Sequence, residues 1–396
     1  MARGSEYIPA MRDWSRRAFL ERLGRAGSAT LGLAALPPWA RSAAAAAAAA
    51  GPADLIERNR WPEHWETSVA ALGRSWLTRN DRFFVRSHFH VPRLDPAGYL
   101  LEITGLVQRP MILSLSQLRD LPLHEAIHTL ECAGNGRGLY RLASTSGTQW
   151  ERGAVGTASW GGVRLSLMLH RAGLLPEARH VWFDAADVAP MPGVPRFVRS
   201  IPLEKAMADT MLAHSMNGAP LPELHGAPVR AFVPGWYGMA STKWITRVRV
   251  EAAPSDNHFM VKGYRYVYPG EDPAQAPPVE ELRVKSVITR PLHGARVAVG
   301  KVRVQGFAWA GPAGVRAVEI STDGGKTWRP AGFMGDTTPL AWRTWATEIE
   351  LAKPATVTVM ARATDNADVA QPVEARANAA GYANNSIHKV TFHARA

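Results

Sequence analysis

Short runs of apolar residues, separated by turns, characterise the middle of the chain. Tyr99–Gly105 is typical of a strand that ends in a turn, whereas the segment Arg164–Gly173 places Leu165, Met168 and Leu169 at helical spacing before a terminal glycine. Further strands are predicted at 180–183, 229–233 and 244–250. Further short helices are predicted at 113–118, with Ser114 as the N-cap, and at 201–207. Because strands and helices do not alternate regularly, the pattern predicts an α+β domain and not a doubly wound sheet.

The pattern changes after a proline-rich stretch, Pro269–Pro278, which we interpret as a linker. Beyond it, apolar and polar residues alternate in short segments divided by turns, as expected of half-buried antiparallel strands. These segments are 284–288, 302–307, 315–321, 345–351 and 356–361. We therefore predict an α+β domain over residues 51–275 and an immunoglobulin-like β-sandwich over residues 280–396.

One predicted strand carries the only cysteine of the sequence. The β-forming residues of 126–130 lead to Cys132, and glycines follow at 134, 136 and 138, so the backbone there can approach a ligand closely. The cysteine could be a small buried apolar residue, or the nucleophile of a protease whose histidine lies elsewhere. It could also be a thiolate ligand of a soft metal held mainly by another group, with Arg137 favouring the ionised sulfur. A dinucleotide loop is disfavoured because the glycines do not follow the required G-x-G-x-x-G spacing.

The first fifty residues indicate an exported protein, and the charge of the remaining chain argues against a nucleic-acid-binding protein. Ser15–Leu20 contains Arg16 and Arg17 before an apolar, alanine-rich stretch, a pattern that predicts a twin-arginine signal peptide over residues 1–50 and export to the periplasm. Without these residues the net charge of +12 falls to +8, and no run of lysine or arginine is present, which argues against nucleic-acid binding. The apolar stretch is too short and poor in large residues for a strong membrane anchor, and a lone cysteine allows no internal disulfide.

The segment Glu131–Arg137, with the sequence ECAGNGR, resembles the cysteine loop of the sulfite oxidase family of molybdenum enzymes. Further resemblances occur in the same order along the chain, between Phe83 and Val390. They are found at 150–156, 160–165, 216–222, 225–230 and 243–244. The resemblance implies a fold of the sulfite oxidase type and a molybdenum–molybdopterin cofactor, with Cys132 as the protein ligand of the metal.

The resemblance also implies roles for other residues. Those expected to bind the cofactor are Arg86, His88, Cys132, Asp187, His225, Arg230 and Lys243. Those expected at the substrate are Arg86, Cys132, Arg137 and Trp150. Cations among them suit the pterin phosphate and an anionic sulfur substrate.

Two positions depart from the family pattern. A tyrosine is expected before the Lys262–Gly263 pair, where Val261 stands, and Tyr264, Tyr266 or Tyr268 could replace it; we assign Tyr264 to the site. The late substrate arginine of the family corresponds to Ala380. Both departures argue against plain sulfite oxidation.

The resemblance implies oxygen-atom transfer to a sulfur compound, followed by electron transfer to a separate carrier. The sequence contains no C-x-x-C-H motif for covalent haem, so we expect a periplasmic cytochrome c as acceptor. The resemblance also implies that residues 51–275 are the molybdopterin-binding catalytic domain and that the sandwich over residues 280–396 pairs two chains in a homodimer. Two alternatives are a sulfane dehydrogenase subunit of a sulfur-oxidation complex and a periplasmic binding protein without catalytic activity.

Overall fold

A computed structural model describes residues 54–140, 145–189 and 191–396. The predicted signal peptide, residues 1–50, lies outside the described residues, and Arg16 and Arg17 with it. Within the described part of the chain, sheet predominates and the helices are few and short. No helix in it has the length and apolar character needed to cross a membrane.

The first half of the described chain contains thirteen strands. They are β1 (Leu55–Asn59), β2 (His64–Thr67), β3 (Val85–Arg86), β4 (Leu100–Gly105), β5 (Met111–Ser114), β6 (His124–Glu131), β7 (Val155–Arg164), β8 (His180–Ala185), β9 (Val198–Pro202), β10 (Met211–Met216), β11 (Ala219–Pro220), β12 (Arg230–Phe232) and β13 (Ile245–Glu251). The helices are α1 (Val69–Leu72), α2 (Leu115–Arg119), α3 (Leu165–Ala172), α4 (Leu203–Ala208) and α5 (His258–Val261).

Local sequence signals explain several of these boundaries. Helix α2 begins after Ser114, whose hydroxyl accepts from the Gln117 amide while the Gln117 side chain accepts from the Ser114 amide. This reciprocal pair satisfies two helix N-terminal donors. Helix α3 ends at Gly173, as the apolar spacing predicted. It buries Leu165, Met168 and Leu169 on one face.

Three sheets form this part of the molecule. Strands β1, β2 and β3 form one; β11, β10, β7 and β6 form the second, with β12 also paired to β10; and β5, β4, β13, β8 and β9 form the third. All neighbouring pairs within the second sheet are antiparallel, and β6 and β7 run in register from His124–Gly162 to Glu131–Val155. The second sheet therefore carries the cysteine loop at the end of one of its strands.

The C-terminal part consists of two facing sheets. Its strands are β14 (Lys285–Arg290), β15 (Arg296–Ala298), β16 (Gly300–Trp309), β17 (Val315–Ser321), β18 (Arg329–Pro330), β19 (Gly332–Met334), β20 (Arg343–Leu351), β21 (Ala355–Asp365) and β22 (His388–Arg395). One sheet has the order β14-β16-β20-β19 and the other β15-β22-β21-β17-β18. Apolar side chains of both sheets, including Val304, Trp345 and Phe392, form one core between them.

A separate apolar cluster joins the two parts. It contains Tyr237 and Tyr264 from the first part together with Phe307, Trp309 and Trp342 from the sandwich. Leu282 and Val279, which follow the linker, belong to the same cluster. Residues 52–396 thus form one compact unit, and the proline-rich stretch does not separate two independent bodies.

Candidate active site

The cysteine loop is fixed by its own backbone. After β6, the Cys132 amide donates to the Ala154 carbonyl at 2.9 Å, and the Cys132 carbonyl accepts from the Asn135 amide at 2.9 Å. Gly136 has φ of +92°, a conformation that favours glycine. The turn leaves the side chain of Cys132 partly exposed, on the wall of a pocket.

This pocket brings together eight of the ten residues that the sequence predicted for the site. It encloses about 670 Å³ of space between its atoms, with the open mouth included. The eight residues on its wall are Arg86, His88, Cys132, Asp187, His225, Arg230, Lys243 and Tyr264. They come from six separate chain segments, and Phe197 and Met239 add apolar surface between them.

Arg230, which is buried, and Lys243, which is half-buried, lie on the pocket wall, and neither forms an ion pair with a carboxylate among the described residues. The Arg230 guanidinium donates to the carbonyls of His225 at 3.0 Å and Ser241 at 2.8 Å. The Lys243 Nζ donates to the Leu224 carbonyl at 2.8 Å and to Ser87 Oγ at 3.1 Å. Burial lowers the pKa of Arg230 to about 9, and burial together with the Arg230 charge holds the pKa of Lys243 well below its usual range.

His225 lies between these cations and the chain at Asn80. Its Nε2–H lies 3.1 Å from the Asn80 carbonyl oxygen, to which it donates. Burial, and secondarily the charge of Lys243, lowers the pKa of His225 to about 3, so the ring is neutral at physiological pH. The arrangement of Arg230, Lys243 and His225 is suited to binding an anion.

Arg86 and Asp187 expose unsatisfied polar atoms to the same pocket. Arg86 Nη1 and Asp187 Oδ1 are buried and have no hydrogen-bond partner among the described residues. Burial raises the pKa of Asp187 to about 6, partly offset by Lys243. Buried polar atoms of this kind normally have a partner, so a polar ligand is the natural one.

Tyr264 lies on the same pocket wall. Its hydroxyl is 2.7 Å from His88 Nε2, and the His88 ring stacks on Phe197 with centroids 3.8 Å apart. Burial raises the pKa of Tyr264 to about 12 and holds the pKa of His88 well below its usual range. Tyr264 and Trp244, both on the pocket wall, have φ of +56° and +52°, a strained conformation for residues other than glycine that is enriched at functional sites. Of the three tyrosines considered for the vacant family position, Tyr264 is the one on the wall.

Arg137 and Trp150 lie outside the pocket wall. The Arg137 Nε donates to the Ala380 carbonyl at 2.7 Å and its Nη1 to the Thr148 carbonyl at 3.1 Å. Trp150 is buried and contacts the His64 ring, with centroids 5.7 Å apart. Residue 380 thus lies beside Arg137, where it offers a methyl group and a carbonyl oxygen. That Ala380 corresponds to the late substrate arginine of the family stays a prediction.

Arg137 also begins a stack of four side chains. Its guanidinium lies 5.2 Å from the centre of the Tyr382 ring, and that ring stacks on Tyr264 at 5.1 Å. The guanidinium of Arg199 lies 5.2 Å from the centre of the Tyr264 ring and donates to the Phe259 carbonyl. Cations therefore contact both tyrosines of the stack. Sequence reasoning missed Arg199, because nothing in a motif indicates a cation stacked on an aromatic ring far away in the chain.

The described residues fit a molybdopterin cofactor. Among them, no group of three or more His, Cys, Asp or Glu side chains lies together in a way that could hold a metal ion. Cys132 instead offers one thiol as a metal ligand. The cations on the same wall, and Arg86 Nη1 without a hydrogen-bond partner among the described residues, suit an anionic group that has hydrogen-bond acceptors of its own. Arg230, Lys243 and His225 would hold the phosphate, Asp187 would accept from a ring N–H, and Cys132 would bind the metal.

Two family models match the chain in the same order. The oxidoreductase molybdopterin binding domain matches residues 88–259, and the Mo-co oxidoreductase dimerisation domain matches residues 276–395. Sulfite oxidase of Gallus gallus is 37% identical over 329 residues, which cover 78% of this chain and 71% of that protein. The chain belongs to the sulfite oxidase family of molybdopterin oxidoreductases.

Other relatives agree with this family. Mitochondrial sulfite oxidase of Mus musculus is also 37% identical, over 86% of this chain and 65% of its own length, so part of that relative has no counterpart here. Among solved structures, the sulfane dehydrogenase SoxCD from Paracoccus pantotrophus matches with a TM-score of 0.77 and 28% identity, over 92% of each chain. The prediction of a sulfite oxidase-type fold is confirmed. The immunoglobulin type of the sandwich, the domain boundaries and the individual site residues stay predictions.

Proposed function

We propose that this enzyme oxidises an anionic or sulfur-containing small molecule by oxygen-atom transfer and passes the electrons to a separate cytochrome c. The observation that carries the proposal is the position of Cys132 on the same pocket wall as Arg86, Arg230 and Lys243. A thiolate ligand and several uncompensated cations in one pocket suit an anionic cofactor and an anionic substrate together.

The pocket residues have different roles. Arg230, Lys243 and His225 bind the anionic end of the cofactor, and the bound molybdenum–pterin group supplies the oxygen-atom and electron chemistry. Arg86 Nη1, which has no partner among the described residues, is free to hold a substrate oxygen. Tyr264 keeps its proton at neutral pH, since its pKa is raised to about 12, and can donate a hydrogen bond to substrate while His88 orients it.

The position of Ala380 bears on the choice of substrate. A small dianion such as sulfite needs several converging cations, and each charge-assisted contact contributes about 1.5–3 kcal/mol. Here residue 380 offers no cation, and the Arg137 Nε is engaged with its carbonyl oxygen. We therefore infer that free sulfite is a poor substrate and that a bulkier or less charged sulfur compound is preferred.

Steady-state kinetics test this inference. The wild-type enzyme is compared with Ala380→Arg, using sulfite, thiosulfate and organic sulfur compounds with a one-electron acceptor. We expect Ala380→Arg to improve kcat/KM for sulfite by roughly tenfold to a hundredfold, the equivalent of one restored contact. A micromolar KM for sulfite in the wild type, with rapid turnover, would contradict the inference.

A second candidate is a sulfane dehydrogenase subunit that acts on a sulfur atom carried by a partner protein. The match to SoxCD over 92% of both chains supports it. The test presents a sulfane sulfur on a carrier peptide and as a free polysulfide. Faster turnover of the peptide-bound form supports this candidate, whereas equal turnover argues for a small-molecule substrate. A binding protein without activity would lack molybdenum on elemental analysis.

Localisation and assembly are further parts of the proposal. Export is tested by replacing Arg16 and Arg17 with lysine, which should leave unprocessed protein in the cytoplasm. The dimerisation-domain match over residues 276–395 supports a homodimer. Sedimentation should give twice the chain mass, and a monomer at micromolar concentration would contradict this part.

A further inference from the structure

A buried carboxylate next to the cysteine is held from both parts of the molecule. Glu131, the last residue of β6, is fully buried. Its Oε1 accepts from Lys285 Nζ at 2.8 Å and from Asn135 Nδ2 at 2.9 Å, and its Oε2 accepts from Trp309 Nε1 at 2.7 Å. Lys285 begins β14 and Trp309 ends β16, so two of the three donors belong to the sandwich.

The same network reaches the backbone on both sides of Cys132. Lys285 Nζ also donates to the Asn135 carbonyl at 3.1 Å, and Asn135 Oδ1 accepts from the Ala154 amide at 3.2 Å. The Ala154 carbonyl in turn accepts from the Cys132 amide at 2.9 Å. The residue before the cysteine and the turn after it are therefore fixed by one set of hydrogen bonds.

Two more contacts from the C-terminal part hold the rest of the loop. The Ala383 amide donates to the Ala133 carbonyl at 2.7 Å, and Asn384 Nδ2 donates to the Gly136 carbonyl at 2.8 Å. Short loops rich in glycine have many accessible conformations. These contacts reduce that freedom.

We propose that Lys285 and Trp309 are positioning residues that set the direction of the Cys132 thiol, and that the sandwich is thereby part of the metal site. The proposal rests on the proposed function in one respect, that Cys132 binds the metal. Its physical basis is that metal sites tolerate only small displacements of a ligand. Supporting hydrogen bonds hold ligands within about 0.5 Å of the productive geometry. A ligand displaced by about 1 Å lowers turnover by up to about a hundredfold.

The chain offers a matched pair of variants for the test. Trp309→Phe removes the indole N–H that binds Glu131. Trp342→Phe also removes an indole N–H, from a tryptophan of the sandwich that is equally buried. Trp342 Nε1 donates to the Trp76 carbonyl of the first part at 2.8 Å. Both changes shorten a buried side chain and leave one acceptor unsatisfied. They differ in whether that acceptor belongs to the cysteine strand.

The holoenzymes are compared by thermal melting, molybdenum content, kcat and the visible absorption band that arises from thiolate-to-molybdenum charge transfer. We expect similar losses of Tm in the two variants. Only Trp309→Phe should shift or weaken the absorption band per bound molybdenum, and its kcat should fall about tenfold to a hundredfold. Trp342→Phe should keep the wild-type band and turnover.

The proposal is overturned if Trp309→Phe keeps the wild-type band and a kcat within twofold of Trp342→Phe. Should Trp309→Phe prove too unstable to purify, the double variant Glu131→Gln/Lys285→Met replaces it, because removing both charges together leaves no unpaired one buried. The same band and kcat criteria then decide. A wild-type protein without molybdenum would instead reject the proposed function, so the two failures are distinguishable.

Discussion

The pocket and the sandwich differ in whether a cation inside the molecule has a carboxylate partner. The pocket holds the buried Arg230 and the half-buried Lys243 against carbonyl and hydroxyl oxygens, with no ion pair to either among the described residues. The core between the sandwich sheets is built from apolar side chains such as Val304, Ile349 and Phe392. The buried lysine at the edge of the sandwich, Lys285, has a carboxylate partner in Glu131 at 2.8 Å.

This difference separates residues kept for binding from residues kept for folding. A buried cation without a counter-ion destabilises the folded chain unless a ligand supplies the charge, whereas a buried pair is destabilised by removing either member. The pocket is therefore arranged for an anion that the chain itself does not provide. The sandwich and its boundary are arranged to hold the chain in place.

The largest effect is expected at the thiol. Cys132→Ser is nearly isosteric, and a packing residue would lose only modest stability. A metal ligand should instead lose turnover by about a thousandfold or more while the protein stays folded. Retained activity with a full molybdenum complement would show that Cys132 is structural.

Substitutions of Lys285 and Lys243 test this difference between the sandwich boundary and the pocket directly. Lys285→Met should destabilise the cofactor-free protein by about 3–5 kcal/mol, because Glu131 loses its cation. Lys243→Met should cost the cofactor-free protein less than that, since Lys243 forms no ion pair among the described residues and only partly offsets the raised pKa of Asp187. It should nevertheless lower molybdenum content. The measurement is urea unfolding of both variants alongside metal analysis.

The conclusion about the pocket depends on the difference in stability and molybdenum content between Lys285→Met and Lys243→Met. Equal loss of stability in both would mean that Lys243 is held as tightly by its own chain as Lys285 is. Normal molybdenum content in Lys243→Met would mean that it does not face the cofactor.

Acid should weaken the catalytic part through its buried histidines. Burial lowers the pKa of His64 and of His128 to about 4, and that of His225 to about 3. Below the unfolded value near 6.5 the unfolded chain binds more protons than the folded one, so stability is constant above that pH and falls as the pH drops from 6.5 towards 4. Urea unfolding of the cofactor-free protein at pH 8, 7, 6 and 5 measures the slope.

A control variant assigns that slope to a particular ring. His128 Nδ1 is buried without a hydrogen-bond partner among the described residues. We therefore expect His128→Gln to reduce the dependence on pH between 6 and 5. An unchanged slope would remove His128 from the explanation.

The smallest effect is expected in the sandwich core. Ile349→Val removes one methylene from a buried side chain in the core between the two sheets, which typically costs about 0.5–1.5 kcal/mol. Thermal melting should show the loss, and kcat should not change. A fall in kcat of the folded variant would mean that the interior of the sandwich, and not only its boundary, affects the site.

The sequence predicted the features that depend on local pattern or on motif. The N-cap at Ser114, the glycine end of α3 and all five predicted strands of the sandwich have counterparts in the structure. Eight of the ten residues carried over from motifs converge on one pocket wall.

Features that depend on distant contacts were not predictable. Glu131 and Lys285 are 154 positions apart, and neither a period nor a motif links them. Arg137 was expected to face the substrate because of its place in the motif, yet its Nε and Nη1 are engaged by the carbonyls of Ala380 and Thr148. Such outcomes are decided by which loop packs on which, and composition does not specify that.

The stack of Arg137, Tyr382, Tyr264 and Arg199 has a consequence for where electrons travel. Removing one electron from a tyrosine ring leaves positive charge on it, and a guanidinium over the ring opposes that charge. Each of the two rings has such a guanidinium 5.2 Å from its centre. The pair should therefore resist one-electron oxidation, so that reducing equivalents leave the metal by another route and the site is protected from forming a tyrosyl radical beside its own substrate.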